Sequence, residues 1–145
     1  MTAPTIISAT AKDSHAIREC IQAAFAPMIA EISDFPDVTH GLEDSIEKGE
    51  VFAAMDAGDV AGVLVIDVQE TFLKVSIVAV DPARKGQGLG RRLMEYAEKR
   101  AQQLGLAEMR LRTHALMPQN VTLYEHLGWR VTGRDERAVS MSKPL

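Results

Sequence analysis

Apolar and polar positions along the chain alternate between two periods, and the switches mark the elements. Thr5 to Ala9 forms a short apolar start that predicts a first strand. From Asp13 the period lengthens. Ala16, Ile17, Cys20, Ile21, Ala24 and Phe25 fall at helical spacing, with Asp13 or Ser14 as the cap and Pro27 disrupting the end. A second helical piece is expected from about Thr39 to Lys48, closed by Gly49. Three strands follow: Val51 to Met55, Val60 to Val68 and Phe72 to Val80, the first two joined by the hairpin signal "DAGD". The third, "FLKVSIVAV", ends in four apolar residues, as in a strand covered on both faces, and Asp81-Pro82 stops it.

Leu89 to Leu104 is the clearest helix. Leu89, Leu93, Met94, Ala97, Ala101 and Leu104 make one stripe, charges fill the other side, and Gly105 terminates it. "MRLRT" at 109–113 reads as a strand, so strand, helix and strand form a βαβ unit with parallel pairing. A helix from about Gln119 to Leu127 and a hairpin, Trp129 to Thr132 with Ala138 to Ser142, complete the chain. The expectation is one α+β domain over residues 1–145. Its sheet is mixed, mostly antiparallel and twisted, with about six to seven strands and helices on both faces.

Composition narrows the classes. At 145 residues, 46% apolar and 25% charged, the chain matches a globular domain with a real core. A net charge of −4 argues against nucleic acid as the main partner, so any phosphate binding has to be local. A lone cysteine, Cys20, excludes an internal disulfide and fits a reducing compartment; its place on an apolar helix face reads as inert core. The start, Met1-Thr-Ala-Pro, carries no secretory signal, and "VAGVLVI" is too short to span a bilayer. A cytoplasmic protein without a membrane partner is expected. The four histidines show no metal-ligand spacing, so no metal is expected.

The chemistry concentrates at "DPARKGQGLGRRL". Gly86, Gly88 and Gly90 open a helix, where free N–H groups and the positive end of the dipole make an anion nest. A dinucleotide fingerprint fails at Arg91, where the third glycine belongs, and the Lys-Ser/Thr of a P-loop is missing. A plain glycine turn is the bland alternative.

The stretch "VAVDPARKGQGLGRRLMEYAEKRA" resembles the acetyl-CoA motif of the GCN5-related N-acetyltransferases, the GNAT superfamily. The family pattern Gln/Arg-x-x-Gly-x-Gly/Ala falls on Lys85-Gly86-Gln87-Gly88-Leu89-Gly90, with Lys85 where Gln or Arg is usual. "NVTLYEHLGW" resembles the second family segment through Asn120, Leu123, Tyr124, Leu127 and Gly128, and the order of elements agrees along nearly the whole chain.

The resemblance implies acetyl transfer from acetyl-CoA to a primary amine in a ternary complex. It assigns the pyrophosphate to the N–H groups of Gln87 through Arg91, with Lys85 and Gly86 leading in. Arg84, Lys85, Arg91 and Arg92 add positive charge or form a solvated rim. The pantetheine arm would lie along the backbone of Val78, Ala79 and Val80, one of whose N–H groups would polarise the thioester. Tyr124 would be the general acid for the leaving thiolate, against a packing role. Asn120 would bond the pantetheine, against a helix N-cap role.

The general base is not readable. "FLKVSIVAV" has no acid; Ser76 and, weakly, His114 are candidates. Glu31, Asp34, Asp37, Glu43, Asp44, Glu47 and Glu50 either wall a cationic acceptor or form a solvated acidic face. The acceptor is a small-molecule or peptide amine, and a homodimer through the closing hairpin is left open. The rival reading is a non-catalytic acyl-CoA-binding or regulatory module on the same fold.

Overall fold

The computed structural model describes residues 3–33 and 35–145. Among them the strands are β1 (Thr5–Ser8), β2 (Val51–Asp56), β3 (Asp59–Val68), β4 (Phe72–Val80), β5 (Glu108–His114), β6 (Arg130–Arg134) and β7 (Ala138–Pro144). The helices are α1 (Ser14–Glu31), α2 (Leu42–Glu47), α3 (Leu89–Gln103) and α4 (Pro118–His126). The strands form one sheet in the order β1-β2-β3-β4-β5-β7-β6. The fold is the expected mixed α+β type. Of the pairings with a defined register, β4 with β5 is parallel and the rest are antiparallel.

The chain divides into two compact units, residues 1–66 with 77–96, and 67–76 with 97–145. In the first, Ile17, Cys20 and Ile21 of α1 and Leu42 and Ile46 of α2 pack on Ala53, Val63, Val65, Ile77 and Ala79. The opposite face meets α3. There Phe52 lies 4.9 Å from Tyr96 between ring centres, and a Cβ at Gly62 would come within 3.1 Å of Leu89 and Leu93. Burying a side chain such as Ile21, Leu64 or Leu93 completely contributes roughly 1.5–3 kcal/mol. The hairpin between β2 and β3 turns at Ala57 (φ 53°) and Gly58 (φ 88°), two successive left-handed residues as a primed turn requires.

In the second unit, Leu73, Val75, Met109, Leu111 and Met141 are buried from one side of the sheet. Asn120 of α4 donates to the Thr113 hydroxyl at 3.2 Å on that same side.

The chain departs from expectation at five places. Helix α1 continues past Pro27 to Glu31, because Ala23 and Pro27 both face solvent and water can take the carbonyl that proline leaves without its usual partner. Asp13 does not cap it by side chain; its carboxylate instead accepts from the Thr10 amide and hydroxyl at 2.9 and 3.1 Å. Helix α2 starts at Leu42 rather than Thr39, because Asp37 accepts from the Thr39 amide and hydroxyl and Gly41 turns left-handed (φ 77°). Leu104 drops off the buried stripe of α3 and is exposed. At the end of β4, Ile77 and Ala79 are buried but Val78 and Val80 are only half-buried, so the strand alternates.

Candidate functional site: a glycine loop and a half-buried tyrosine

The loop after β4 is built by proline and glycine. Asp81 accepts from the Ala83 amide at 3.1 Å, and Pro82–Arg84 makes a single 3-10 turn. Lys85 is then extended, and Gly86 and Gly88 take φ values of 83° and 75°. Side-chain-bearing residues rarely adopt those angles, which explains both glycines without any ligand. The surroundings add a second fact. A Cβ built on either glycine meets nothing within 4 Å, so the loop rims open space. Gly90 differs: its φ is not left-handed, and a Cβ there would only touch Val80 at an ordinary 3.7 Å.

Helix α3 begins at Leu89, and its first bond of this kind is Arg92 N–H to the Gly88 carbonyl at 3.1 Å. The N–H groups of Leu89, Gly90 and Arg91 precede it and have no partner inside the helix. They carry the positive end of the helix dipole, at the helix end that follows Gly86 and Gly88. Helix N-termini with free N–H groups are the kind of place where a phosphate can be held.

The four basic residues at the loop divide sharply. Arg84 is held by Asp81 at 2.9 Å and Asp56 at 3.3 Å, and Arg92 donates to the Pro4 carbonyl at 2.8 Å. Both are parts of the scaffold. Lys85 and Arg91 are exposed, and among the described residues Arg91 pairs with Glu95, one helical turn on, at 3.3 Å.

In the second unit, α4 carries Tyr124 and Asn120. Tyr124 is half-buried, and its ring centre lies 6.0 Å from that of Trp129. Burial raises its pKa above the ordinary value of 10.0, so the phenol keeps its proton at neutral pH. Among the described residues its hydroxyl has no hydrogen-bond partner, which leaves the proton available to a ligand. Asn120 is not the N-cap, a position Met117 holds; it sits in the first turn and reaches Thr113.

His114 ends β5, and its Nδ1 accepts the Leu116 amide at 3.1 Å. That contact puts the proton of the neutral ring on Nε2, so the basic nitrogen is already engaged. Ser76 is exposed on β4.

The acidic residues 31–50 scatter. Glu43 pairs with Arg18, and Asp37 is tied to Thr39; hydrogen bonds from these partners hold both carboxyls below the usual range. Among the described residues of the group, Glu43 and Glu47 line a cavity of about 430 Å³ beside Ala9, Thr10, Ser14 and Ile46. Asp34 lies outside the described residues. Cys20 is buried in the first unit's core, and burial pushes its thiol up to about 11. The pairing of Arg84 and Arg92 with the scaffold is what sequence reasoning missed; only Asp81, three residues from Arg84, signalled it.

A family profile described as an acetyltransferase (GNAT) domain matches residues 23–141. The chain belongs to the GNAT acetyltransferase family. No curated protein matches it. Among solved structures it is similar to the PaiA N-acetyltransferase of Thermoplasma acidophilum in complex with coenzyme A. The TM-score is 0.88 at 17% identity over 100% of both chains. The ribosomal-protein-S18-alanine N-acetyltransferase of Escherichia coli gives a TM-score of 0.76 at 24% identity, over 97% of this chain and 93% of that one. The N-acetylglutamate synthase of Neisseria gonorrhoeae, complexed with coenzyme A and N-acetyl-glutamate, gives 0.80 at 16% over 100% of this chain and 36% of that one. At these identities the likeness is one of fold.

Proposed function

We propose that this chain transfers an acetyl group from acetyl-CoA to the primary amine of an acceptor by direct attack. The observation that carries the reading is the loop of two left-handed glycines rimming open space at the start of α3. Two solved relatives in fold contain coenzyme A, which supports the same ligand here.

Acetyl-CoA supplies an activated thioester, whose C–S bond breaks as the amine nitrogen bonds to the carbonyl carbon. The chain's part is to hold and to move protons. Backbone N–H groups from Gln87 to Arg91 grip the diphosphate, with Lys85 and Arg91 adding mobile charge. Main-chain groups at the half-buried Val78 and Val80 take the pantetheine, and an N–H of Val78, Ala79 or Val80 polarises the thioester carbonyl. Tyr124 gives its proton to the departing thiolate. With reference values of about 10 for tyrosine and about 8.5 for a thiol, the transfer is uphill, and burial steepens it; positioning has to supply the difference. The amine's surplus proton leaves through water, since β4 offers no carboxylate and the Nδ1 of His114 is engaged.

The absence of a carboxylate on β4 also favours a second reading, an acyl-CoA-binding module without turnover. One assay separates the two. Protein, acetyl-CoA and a panel of primary amines should release free thiol in proportion to amine. Binding of coenzyme A without thiol release across the panel would select the module, and no binding would remove both.

A further inference from the structure

The sheet of the second unit has two unlike faces. Leu73, Val75, Met109, Leu111 and Met141 are buried from one. Strand alternation turns Lys74, Arg110 and Arg112 to the other. The register aligns them: Lys74 stands opposite Arg110, Arg110 opposite Ser142, and Ser142 opposite Arg130. One line across β4, β5, β7 and β6 therefore reads Lys, Arg, Ser, Arg. With neighbouring strands about 4.8 Å apart, it spans about 14 Å. Arg112 sits two residues further along β5, opposite Ser140.

Such a line is costly for the fold. Like charges directly opposed across strands repel and destabilise a sheet, and Lys74 faces Arg110 in this way. Internal carboxylates compensate only in part. Arg110 stacks 3.8 Å above the Phe72 ring and pairs with Glu108, and Arg112 meets Asp135 at 3.4 Å. Both remain about half exposed, at 49% and 55% of their side chains. Lys74 and Arg130 have no ion pair among the described residues. Four cations thus share two carboxylates, in a chain whose net charge is −4. Ser142 lies between Arg110 and Arg130 in the register and is buried, so the charged side chains on either side dominate what this face presents.

We propose that this charged face docks an acidic segment of polypeptide in extended form, running along β5. Arg110 and Arg112 repeat at about 6.8 Å, the spacing of alternate side chains on an extended chain, so successive Asp or Glu residues can meet successive guanidinium groups. Lys74 and Arg130 flank them. The acidic balance of the whole chain and the two carboxylates on this face disfavour a nucleic acid, whose binding rests on a wide positive field.

The test uses a short fluorescent peptide alternating glutamate and serine, its lysine–serine counterpart, and a single-stranded oligonucleotide, read by anisotropy on the full chain. The glutamate peptide should bind at low ionic strength and weaken steadily as salt rises. The double variant Lys74→Glu, Arg130→Glu should lose about ten-fold in affinity, with its circular dichroism and its coenzyme A binding unchanged. Retention of peptide binding by the single variants Lys74→Gln and Arg130→Gln, should the double variant fail to fold, would overturn the proposal. So would equal binding of the lysine peptide, or tighter binding of the oligonucleotide. A concentration-dependent dimer that these substitutions dissolve would also overturn it, by giving the face to a second copy.

Discussion

The loop at 85–91 and the helix at 118–126 serve one proposed reaction by opposite means. In the loop the main chain would do the holding. Gly86 and Gly88 are there for their angles, and two of the four nearby cations, Arg84 and Arg92, are turned away into the scaffold. In α4 the main chain is an ordinary helix, and the proposed chemistry rests on one phenol at Tyr124 and one amide at Asn120. A function carried by backbone restricts which residues can stand there, and so marks the sequence. A function carried by one side chain leaves a tyrosine that looks like any other.

The largest effect is expected where that contrast is sharpest. Replacing Gly86 and Gly88 together by valine puts branched side chains into left-handed backbone, at roughly 1–2 kcal/mol each or more, and fills the open rim. Coenzyme A affinity should fall by about a hundred-fold or more. Affinity within about two-fold of the parent would show that the loop is not the anion site.

Tyr124→Phe should act the other way round. It should lower kcat by about a hundred-fold while coenzyme A binds as before. Because burial raises the phenol's pKa, the alkaline limb of the kcat profile should lie above 10 in the parent and vanish in the variant. An unchanged kcat would return Tyr124 to a packing role beside Trp129.

A third effect belongs to the scaffold beneath the loop. Gly62→Ala places a methyl 3.1 Å from the Ala79 carbonyl, Leu89 and Leu93, so it should destabilise by about 1–3 kcal/mol and lower the melting temperature. An unaltered melt would mean that β3 and α3 can move apart freely.

The smallest effect concerns Cys20. Its folded pKa of about 11 exceeds the reference 9.0, so the neutral thiol is favoured in the folded state. Its contribution is complete below pH 9 and lost as the pH rises through about 11. Iodoacetamide should label it only after denaturation; rapid labelling of the native chain would contradict its burial.

Much of the fold was legible because local rules set it. The bounds of β4, the start of α3 and the hairpin at Ala57-Gly58 follow from alternation, an apolar stripe and turn chemistry. The misreadings arise where a neighbour outvotes a local rule. Pro27 stays helical because its side of α1 is wet, and Thr39 stays a turn because Asp37 claims its amide. The local geometry of the candidate residues was legible in the same proportion. The glycines announced themselves, whereas nothing near Arg92 in the sequence foretells the carbonyl of Pro4. Nor could periodicity reveal that the Leu116 amide occupies Nδ1 of His114. Those contacts depend on how distant segments or a turn close, which composition does not encode.

The account rests on main-chain amides at the head of α3 holding a diphosphate, and calorimetry tests that directly. Coenzyme A and pantetheine, which lacks the diphosphate, are titrated separately into the folded chain. The account predicts clear uptake of coenzyme A and binding of pantetheine weaker by about a hundred-fold or more. Equal affinity for the two, or no heat with coenzyme A, would contradict it.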